Sequence, residues 1–335
     1  MHRELQRNVM HKRQFFCLVL ACSSVMAAQT ASHPAVVARI VVTNNCYYHD
    51  PPALTAENVI VTHEYKPVPI TALLPLRDAR ADLQLYVLVD GSSNWELGES
   101  FADLRQFLTA QRPTTSIGVA YIQDGRLEVA QEPTHDRARA MQALSPPSGS
   151  TPSSPFRPLA ELIEGWHEDS SRHVVLMISN GIDPGAAIGQ KDASVETALQ
   201  MAQRAGVTVY TIYHPGADYL NVDYMTTYSG EVELAHLATE TGGEAYFQDL
   251  GPLPSFTPFL ADMDDHLANQ YLLEFVMNPE TRGTLQDVSV KSKIGDVYLS
   301  APWRIWIPAP PTLQSNAPAK KAVVTEQKRT RRQAL

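Results

Sequence analysis

Three polar side chains follow the most apolar strand that the sequence predicts. Positions 83–89 are almost all apolar or aromatic, and Asp90, Ser92 and Asn94 come directly after them. A continuous apolar run is typical of a strand that is buried on both faces of a parallel sheet. In such sheets, ligands bind in the crevice beyond the carboxyl ends of the strands. We therefore predict a polar binding site that contains these three residues.

Short motifs of the common enzyme classes are absent from the sequence. There is no G-x-S-x-G, H-E-x-x-H, Walker or C-x-x-C motif, and no histidine has a recognisable spacing to a Cys or Ser. An Asp at the end of a first strand also suggests a phosphoaspartyl enzyme. That chemistry needs a second acidic residue and an activating lysine, and Ser92 stands at the position of the second Asp. We predict that the protein is not an enzyme.

The spacing of Asp90, Ser92 and Asn94 resembles the D-x-S-x-S motif of the von Willebrand factor type A (VWA) family, with Asn at the third position. Two later segments strengthen the resemblance. Gly149-Ser150-Thr151 is similar to the Gly-x-Thr loop of the family, and the strand 173–181 resembles the family strand that ends in Asp-Gly, with Asn180 at the Asp position. The order of the three segments supports the same fold.

The elements that position these residues alternate between strands and helices. Helical patterns occur at 100–110, 135–144, 159–166, 195–202 and 234–241, and strands are predicted at 116–122, 173–179, 207–213 and 244–247. Ser100 and Asp103 are expected to form a capping box, and 214–230 is predicted to be an exposed loop. This alternation predicts an α/β fold with a doubly wound, mostly parallel sheet, Rossmann-like as in VWA domains.

The resemblance also implies a metal-ion-dependent adhesion site (MIDAS). In that family, carboxylate and hydroxyl oxygens hold a divalent cation, and a partner's Asp or Glu completes its coordination. The corresponding ligands here would be Asp90, Ser92, Asn94, Thr151 and Asn180, with Mg²⁺ or Mn²⁺ as the cation. The set has one formal negative charge where the family usually has two, so we expect weaker binding. Asp183 could supply the second carboxylate, or it could be a turn or helix-cap residue.

Short strands flank the α/β region on both sides. Strands are predicted at 35–43, 58–64, 270–277, 286–293 and 297–307, with Gly295-Asp296 as a hairpin turn. This arrangement resembles bacterial "VWFA-related" proteins, and we expect the two sets of strands to pack into one small β-sandwich-like unit. The predicted organisation is a signal peptide at 1–28, N-terminal strands at 36–80, a VWA domain at 82–269, C-terminal strands at 270–307 and a disordered basic tail at 308–335.

The first residues are typical of an export signal. Lys12 and Arg13 precede a short apolar stretch that ends in small residues, and cleavage after Ala27 or Ala28 is expected. An alternative is a lipobox around Cys22, which would then carry a lipid anchor. Either form of processing leaves Cys46 as the one cysteine with a free thiol, because Cys22 would be either removed or acylated, and this excludes an internal disulfide.

Charge is unevenly distributed along the chain. Loss of residues 1–28 removes four basic residues and one acidic residue, which takes the formal charge from −9 to −12. Residues 315–335 carry six basic residues and one acidic residue. The body is therefore strongly acidic, which argues against nucleic acid as the principal partner. The basic tail would either contact acidic surfaces or remain a solvated segment.

Two functional hypotheses follow. The first is an exported adhesion or protein-binding module with a degenerate metal site, which recognises a protein partner at the carboxyl ends of the strands. The second is a cell-envelope scaffold whose metal site is vestigial. Both place the chain outside the cytoplasm, in the periplasm, on the outer membrane surface or in the medium. The sequence does not predict the oligomeric state.

Overall fold

The computed structural model describes residues 35–46, 50–92, 98–147, 149, 151–166, 172–185, 193–215, 222–247, 255–280 and 282–309. All of them belong to one compact unit. The predicted signal peptide and most of the predicted basic tail lie outside these ranges. Within the described residues, no helix has both the length and the apolar character needed to span a membrane.

Strands precede the α/β region and follow it. The first four are β1 (Val36–Cys46), β2 (Val59–His63), β3 (Lys66–Pro67) and β4 (Ile70–Pro75). The last five are β11 (Gln270–Met277), β12 (Thr284–Asp287), β13 (Ser289–Ser292), β14 (Val297–Ser300) and β15 (Arg304–Ile307).

Between them, strands and helices alternate. The strands are β5 (Leu83–Asp90), β6 (Thr115–Gln123), β7 (Arg126–Thr134), β8 (Arg172–Ser179), β9 (Thr208–Tyr213) and β10 (Ala245–Tyr246). The helices are α1 (Gly98–Ala110), α2 (Arg137–Ala143), α3 (Phe156–Glu164), α4 (Ala193–Ala205), α5 (Tyr224–Glu240) and α6 (Thr257–Ala268).

The central sheet has six strands in the order β10-β9-β8-β5-β6-β7. All neighbours are parallel except β7, which pairs antiparallel with β6 at the edge. Every residue of β5 except Gln84 is buried, as its apolar sequence predicts. Helices cover both faces, with α1, α2 and α6 on one and α3, α4 and α5 on the other. The predicted doubly wound α/β fold is confirmed.

The flanking strands form antiparallel sheets. β1 lies between β11 and β14 in a sheet of order β14-β1-β11-β4, and it pairs with β11 from Val36↔Met277 to Thr43↔Gln270. A three-stranded sheet β13-β2-β3 and a two-stranded sheet β12-β15 accompany it. Val42, Leu273 and Phe275 are fully buried in the core that these strands share. The domain boundaries remain a prediction.

Two of the predicted C-terminal strands are interrupted. The segment predicted as one strand at 286–293 forms parts of β12 and β13, which lie in different sheets, and the break falls at Val288, whose N–H donates to Trp303 O at 2.8 Å. The segment 297–307 likewise divides into β14 and β15. β13 pairs with β2 and β14 with β1, so the Gly295-Asp296 turn joins strands of two sheets and is not a hairpin turn.

Two helical predictions need correction. α1 begins at Gly98, so Ser100 is inside the helix and does not cap it, while the Asp103 carboxylate accepts from Ser255 Oγ (2.7 Å) and Phe256 N (2.8 Å) at the start of α6. The segment predicted as a loop at 214–230 is helical from Tyr224, because Asp223 caps α5 by accepting from Thr226 N at 3.1 Å.

Arg172 connects the amino end of β8 with the segments that lead to and from the flanking strands. It is buried, and its guanidinium donates to Leu267 O (3.1 Å), to Gln270 Oε1 (2.6 Å) and to Ala81 O (3.1 Å). Burial lowers the pKa of Arg172 to about 10, so it stays charged at neutral pH. These bonds hold the start of β5 and the end of α6 against the same side chain.

Candidate functional site

The candidate site lies at the carboxyl ends of β5 and β8. In the strand order, β6 lies next to β5 in one direction, and β8, which comes later in the chain, lies next to β5 in the other direction. A parallel sheet has a crevice at such a switch in strand order, because the crossover helices diverge to opposite faces. Asp90 ends β5, and Ser179 ends β8 with Asn180 directly after it.

Asp90 is the centre of the site. Its side chain is fully buried, and it accepts hydrogen bonds from Ser92 and Ser179. Asp90 Oδ1 accepts from Ser92 N at 2.9 Å and from Ser92 Oγ at 2.8 Å, while Oδ2 accepts from Ser179 Oγ at 2.7 Å. The two parallel strands are thus connected at their carboxyl ends through one carboxylate.

Burial raises the pKa of Asp90 above its usual value, although hydrogen bonds from Ser179 and Ser92 act in the opposite direction. Removal from water disfavours the charged form, and the three donors only partly replace the lost hydration. A cation beside this carboxylate would favour the charged form. The protonation of Asp90 would therefore be coupled to the binding of any cation here.

Asn180 is placed by a turn. Its Oδ1 accepts from Ile182 N at 2.9 Å, which is an Asx turn, and Gly181 N donates to Ser179 Oγ at 3.1 Å. Asn180 is also mostly buried, with 7% of its surface exposed. The oxygen that the family resemblance assigns to a metal therefore supports the backbone of its own turn.

This turn packs directly against the backbone of α5. Gly181 has a φ of 67°, and a Cβ on it would lie 2.3 Å from Gly230 O. A Cβ on Gly230 would in turn lie 2.3 Å from Asn180 O. Glycine is required on both sides of this contact, because any side chain would force the helix and the turn apart. α5 therefore helps to position Asn180.

The remaining predicted residues have other contacts or lie outside the description. Thr151 is exposed, and its N and Oγ1 donate to Asp124 Oδ1 at 2.9 and 2.8 Å. Asp183 accepts from Gly185 N at 2.8 Å and from Ser194 Oγ at 3.2 Å, as a turn residue does. Asn94 lies outside the described residues. The predicted ligand set therefore remains a prediction.

Sequence reasoning missed two residues at the site. Ser179 was treated as the last residue of a strand, although a hydroxyl at a strand end beside Asn180 is a usable signal. His214, which follows β9, is the first residue of the segment predicted to be an exposed loop, and that prediction is wrong for this residue. It is fully buried, its backbone N–H donates to Ser179 O at 2.9 Å, and its ring contacts the Phe256 ring edge-on. Burial lowers the pKa of His214 to about 4, so the ring is neutral at pH 7.

The donor chemistry of the described residues suits a hard divalent cation. The hydroxyls of Ser92 and Ser179 direct their protons at Asp90, and each hydroxyl oxygen has further lone pairs. Within the described ranges, no three His, Cys, Asp or Glu side chains are grouped closely enough to hold a metal ion by themselves. Among the residues that the structure describes, a cation at Asp90 would therefore depend on hydroxyl and amide oxygens.

No protein-family model and no curated protein matches the chain. Among solved structures, it is similar to a von Willebrand factor type A protein from Catenulispora acidiphila, with 11% identity over 85% of this chain and 76% of that one and a TM-score of 0.43. It is also similar to the vWF domain of the type V pili tip protein Mfa5 from Porphyromonas gingivalis, with 10% identity over 59% and 95% of the two chains and a TM-score of 0.41.

A third similar structure is the proximal thread matrix protein 1 of the mussel byssus. The identity is 17%, the match covers 56% of this chain, and the TM-score is 0.40. The chain spans 48% of the length of that protein. Another structure of the same mussel protein has a zinc-occupied MIDAS motif. The chain is similar in fold to von Willebrand factor type A domains.

Proposed function

We propose that the chain is a protein-binding or adhesion module that recognises its partner at the carboxyl ends of β5 and β8. The observation that carries this proposal is the buried Asp90 carboxylate, which accepts hydrogen bonds from Ser92 and Ser179 at the switch in strand order. Burial of a charged carboxylate costs free energy of folding unless hydrogen bonds or a cation offset the loss of hydration. The similar pilus-tip and byssal-thread proteins are consistent with a role in adhesion.

A degenerate metal site is part of the proposal. Asp90, Ser92, Asn94, Thr151 and Asn180 would hold Mg²⁺ or Mn²⁺. The cation would supply a position to which an Asp or Glu of a protein partner could bind. With one carboxylate in the set, the electrostatic attraction is weaker than with two, so we expect low affinity. Nothing in this arrangement requires catalysis, and we propose a binding protein, not an enzyme.

Metal titration tests the site itself. Calorimetry with Mg²⁺ and Mn²⁺ should detect binding to the native protein and none to Asp90→Ala, while Glu128→Ala, an exposed charge on β7, should bind like the native chain. Because burial raises the pKa of Asp90 and a cation favours the charged carboxylate, binding should weaken as the pH falls. Equal binding by native protein and Asp90→Ala would contradict a metal site at Asp90.

A cell-envelope scaffold with a vestigial site is the second candidate. It is favoured by the contacts that two predicted ligands make with other protein groups. Asn180 Oδ1 accepts from Ile182 N, and the exposed Thr151 donates from Oγ1 to Asp124 Oδ1. Capture of a partner from an envelope extract separates the two functions. A module that uses the site should lose its partner with EDTA and with Asp90→Ala, whereas a scaffold should retain it in both conditions.

Export is also proposed, because both functions require it and the leader has the charge and apolar pattern of a signal peptide. Mass spectrometry of the mature N-terminus in native cells tests this. A start at Ala28 or Gln29 supports secretion, and an acylated Cys22 supports a lipid anchor. An intact Met1 would contradict both forms of processing.

A further inference from the structure

The tip of the β6–β7 hairpin lies beside Asp90 at the carboxyl end of the central sheet. β5 and β6 pair in parallel up to Asp90↔Ile122, and Gly91 N donates to Ile122 O at 2.9 Å. β6 ends at the next residue, and Asp124 and Gly125 form the turn into β7. Asp124 therefore follows the strand that is the direct neighbour of β5, just beyond the position that pairs with Asp90.

The backbone of this turn gives the Asp124 side chain a defined starting point. Asp124 and Gly125 have φ values of 51° and 73°. Left-handed values at both central residues are typical of a two-residue hairpin turn with the sequence Asp-Gly. The flanking pair Gln123↔Arg126 closes the hairpin. A turn of two residues between paired strands leaves the chain little freedom, so the position of Asp124 is fixed by the sheet.

Asp124 holds Thr151 by two hydrogen bonds. Thr151 N and Oγ1 both donate to Asp124 Oδ1, at 2.9 and 2.8 Å. Ser92 makes the same two bonds to Asp90 Oδ1, at 2.9 and 2.8 Å. On two neighbouring strands, a carboxylate at the carboxyl end thus accepts from the backbone and the hydroxyl of one Ser or Thr residue.

The direction of these bonds leaves the Thr151 oxygen able to bind a cation. A hydroxyl has one proton and two lone pairs, and the proton of Thr151 Oγ1 is donated to Asp124. The lone pairs are of the oxygen type that hard divalent cations prefer. Thr151 is exposed, so its side chain is accessible from solvent. The contact with Asp124 and a role of Thr151 as a ligand are therefore compatible.

The segment 151–154 is held at its other end as well. Ser154 Oγ lies 3.1 Å from Ser194 Oγ, and Ser194 Oγ donates to Asp183 Oδ2 at 3.2 Å. Ser194 is at the start of α4, and Asp183 belongs to the turn that follows β8. The segment is thus connected to the β6–β7 hairpin at one end and to the turn after β8 at the other.

We propose that Asp124 is a positioning residue of the candidate site, which holds Thr151 in place as a ligand for a divalent cation beside Asp90. Asp124 acts through Thr151 by fixing its backbone and by accepting the hydroxyl proton. Protein groups that orient a metal ligand in this way contribute to metal affinity, although they do not contact the metal. The inference rests on the proposed metal site at Asp90. In a scaffold with a vestigial site, the same bonds would only stabilise the loop.

Calorimetric titration with Mn²⁺ separates these roles. Asp124→Ala removes the acceptor and should weaken binding by about tenfold or more. Asp124→Asn keeps an oxygen that can accept from Thr151, so it should bind within about threefold of the native chain, because a charge at an exposed position is largely screened. Glu128→Ala removes an exposed charge from the same hairpin and should bind like the native chain.

A double-variant cycle tests whether Asp124 acts through Thr151. Thr151→Val removes the hydroxyl and should weaken binding at least as much as Asp124→Ala does. In the Thr151→Val background, Asp124→Ala should then have little further effect, because the ligand that it positions is already lost. Full additivity of the two losses would overturn the positioning role. An Asp124→Asn protein that binds as weakly as Asp124→Ala would also overturn it, because the charge would then be the controlling factor.

Hydrogen exchange of the Thr151 amide, measured by NMR without metal, is a second readout. Asp124→Ala should speed this exchange by about fivefold or more, because the acceptor of Thr151 N is removed, whereas Asp124→Asn and Glu128→Ala should not. Equal exchange in the native chain and Asp124→Ala would show that Asp124 does not hold Thr151. Unchanged circular dichroism of the variants establishes that a loss of binding is not a loss of fold.

The titration also distinguishes failure of this inference from failure of the proposed function. Equal Mn²⁺ affinity of the native chain and Asp124→Ala, together with loss of binding in Asp90→Ala, would overturn the role of Asp124 and leave the metal site at Asp90 in place. A native chain that binds no Mn²⁺ would contradict the proposed metal site itself, and the role of Asp124 with it.

Discussion

At the scale of single residues, the site is governed by a buried carboxylate whose charge is only partly compensated. Ser92 and Ser179 donate three hydrogen bonds to Asp90, yet burial still raises the pKa of Asp90. Position 180 carries a neutral amide, so it adds no second negative charge to the predicted ligand set. Whether the site binds a cation therefore depends mainly on the Asp90 carboxylate and on the group at position 180.

Replacing Asn180 with Asp should strengthen the binding of Mg²⁺ or Mn²⁺ by about tenfold or more, because a second carboxylate adds charge attraction. The turn should survive, since an Asp oxygen can accept from Ile182 N as Asn180 Oδ1 does. The double change with Asn94→Ser would restore the family pattern. Calorimetric titration of the native chain and both variants measures this. Native affinity equal to that of Asn180→Asp would show that the second carboxylate is not the controlling factor.

His214 should make the fold less stable in acid. Its folded pKa of about 4 lies below the unfolded value of 6.5, so between these values the unfolded chain binds more protons and stability is lost as the pH falls. From pH 7 to pH 5 the free energy of unfolding should fall by about 2 kcal/mol through this group. Urea denaturation at both pH values measures it. His214→Gln should remove that part of the pH dependence, while the contributions of Asp90 and His266 remain in both proteins.

At the scale of elements, the contact between α5 and the turn after β8 connects the helix layer to the site. The contact is made by backbone on both sides, through Gly181 and Gly230. α5 also presents an exposed apolar face, with a stacked Tyr224–Tyr228 pair near its start. A change in the position of this helix would move Asn180 and its neighbours.

Gly230→Ala tests this contact. Alanine in a helix usually stabilises it relative to glycine, but here the added methyl would lie 2.3 Å from Asn180 O. We expect a loss of about 1–3 kcal/mol in the free energy of unfolding, together with weaker binding at Asp90, because the turn must shift. Thr239→Ala, an exposed change on the same helix, should have little effect on either quantity. A stabilised Gly230→Ala protein would show that the helix and the turn are not in close contact.

At the scale of the whole molecule, strands from both ends of the described chain build the same sheets. β1 depends on β11 and β14 for its backbone hydrogen bonds, although more than 200 residues separate β1 from either of them. Short strands cannot bury enough apolar surface alone, so each set should need the other. The buried Arg172 adds polar contacts to the segments on either side of the α/β region.

Deletion of residues 270–335 should therefore expose residues 36–46 to solvent. Hydrogen exchange measured by mass spectrometry should show a large loss of protection in β1, because both of its sheet neighbours are removed. Deletion of residues 310–335 is the matched control, since it removes no described strand, and protection of β1 should persist. Unchanged protection of β1 in the longer deletion would show that the N-terminal strands form a unit without the C-terminal ones.

The sequence alone determined the α/β alternation and the place of Asp90, because a strand buried on both faces must be continuously apolar and must end where polar residues begin. It also indicated Ser92 through spacing. The tertiary structure decided what spacing cannot encode. Ser179 and His214 reach the site from the ends of neighbouring strands. Gly230 approaches it from α5, and the part of α5 up to Gly230 was predicted to be a loop.

The same reason explains the errors at the C-terminal strands. Each of the segments 286–293 and 297–307 was predicted as one strand, yet each changes sheet partway along, at Val288 and between Ser300 and Arg304, where Pro302 is a sequence signal for a break. Local pattern reports which residues favour an extended backbone, but strand partners are chosen by packing between segments far apart in the chain. The folded protein as a whole makes that choice.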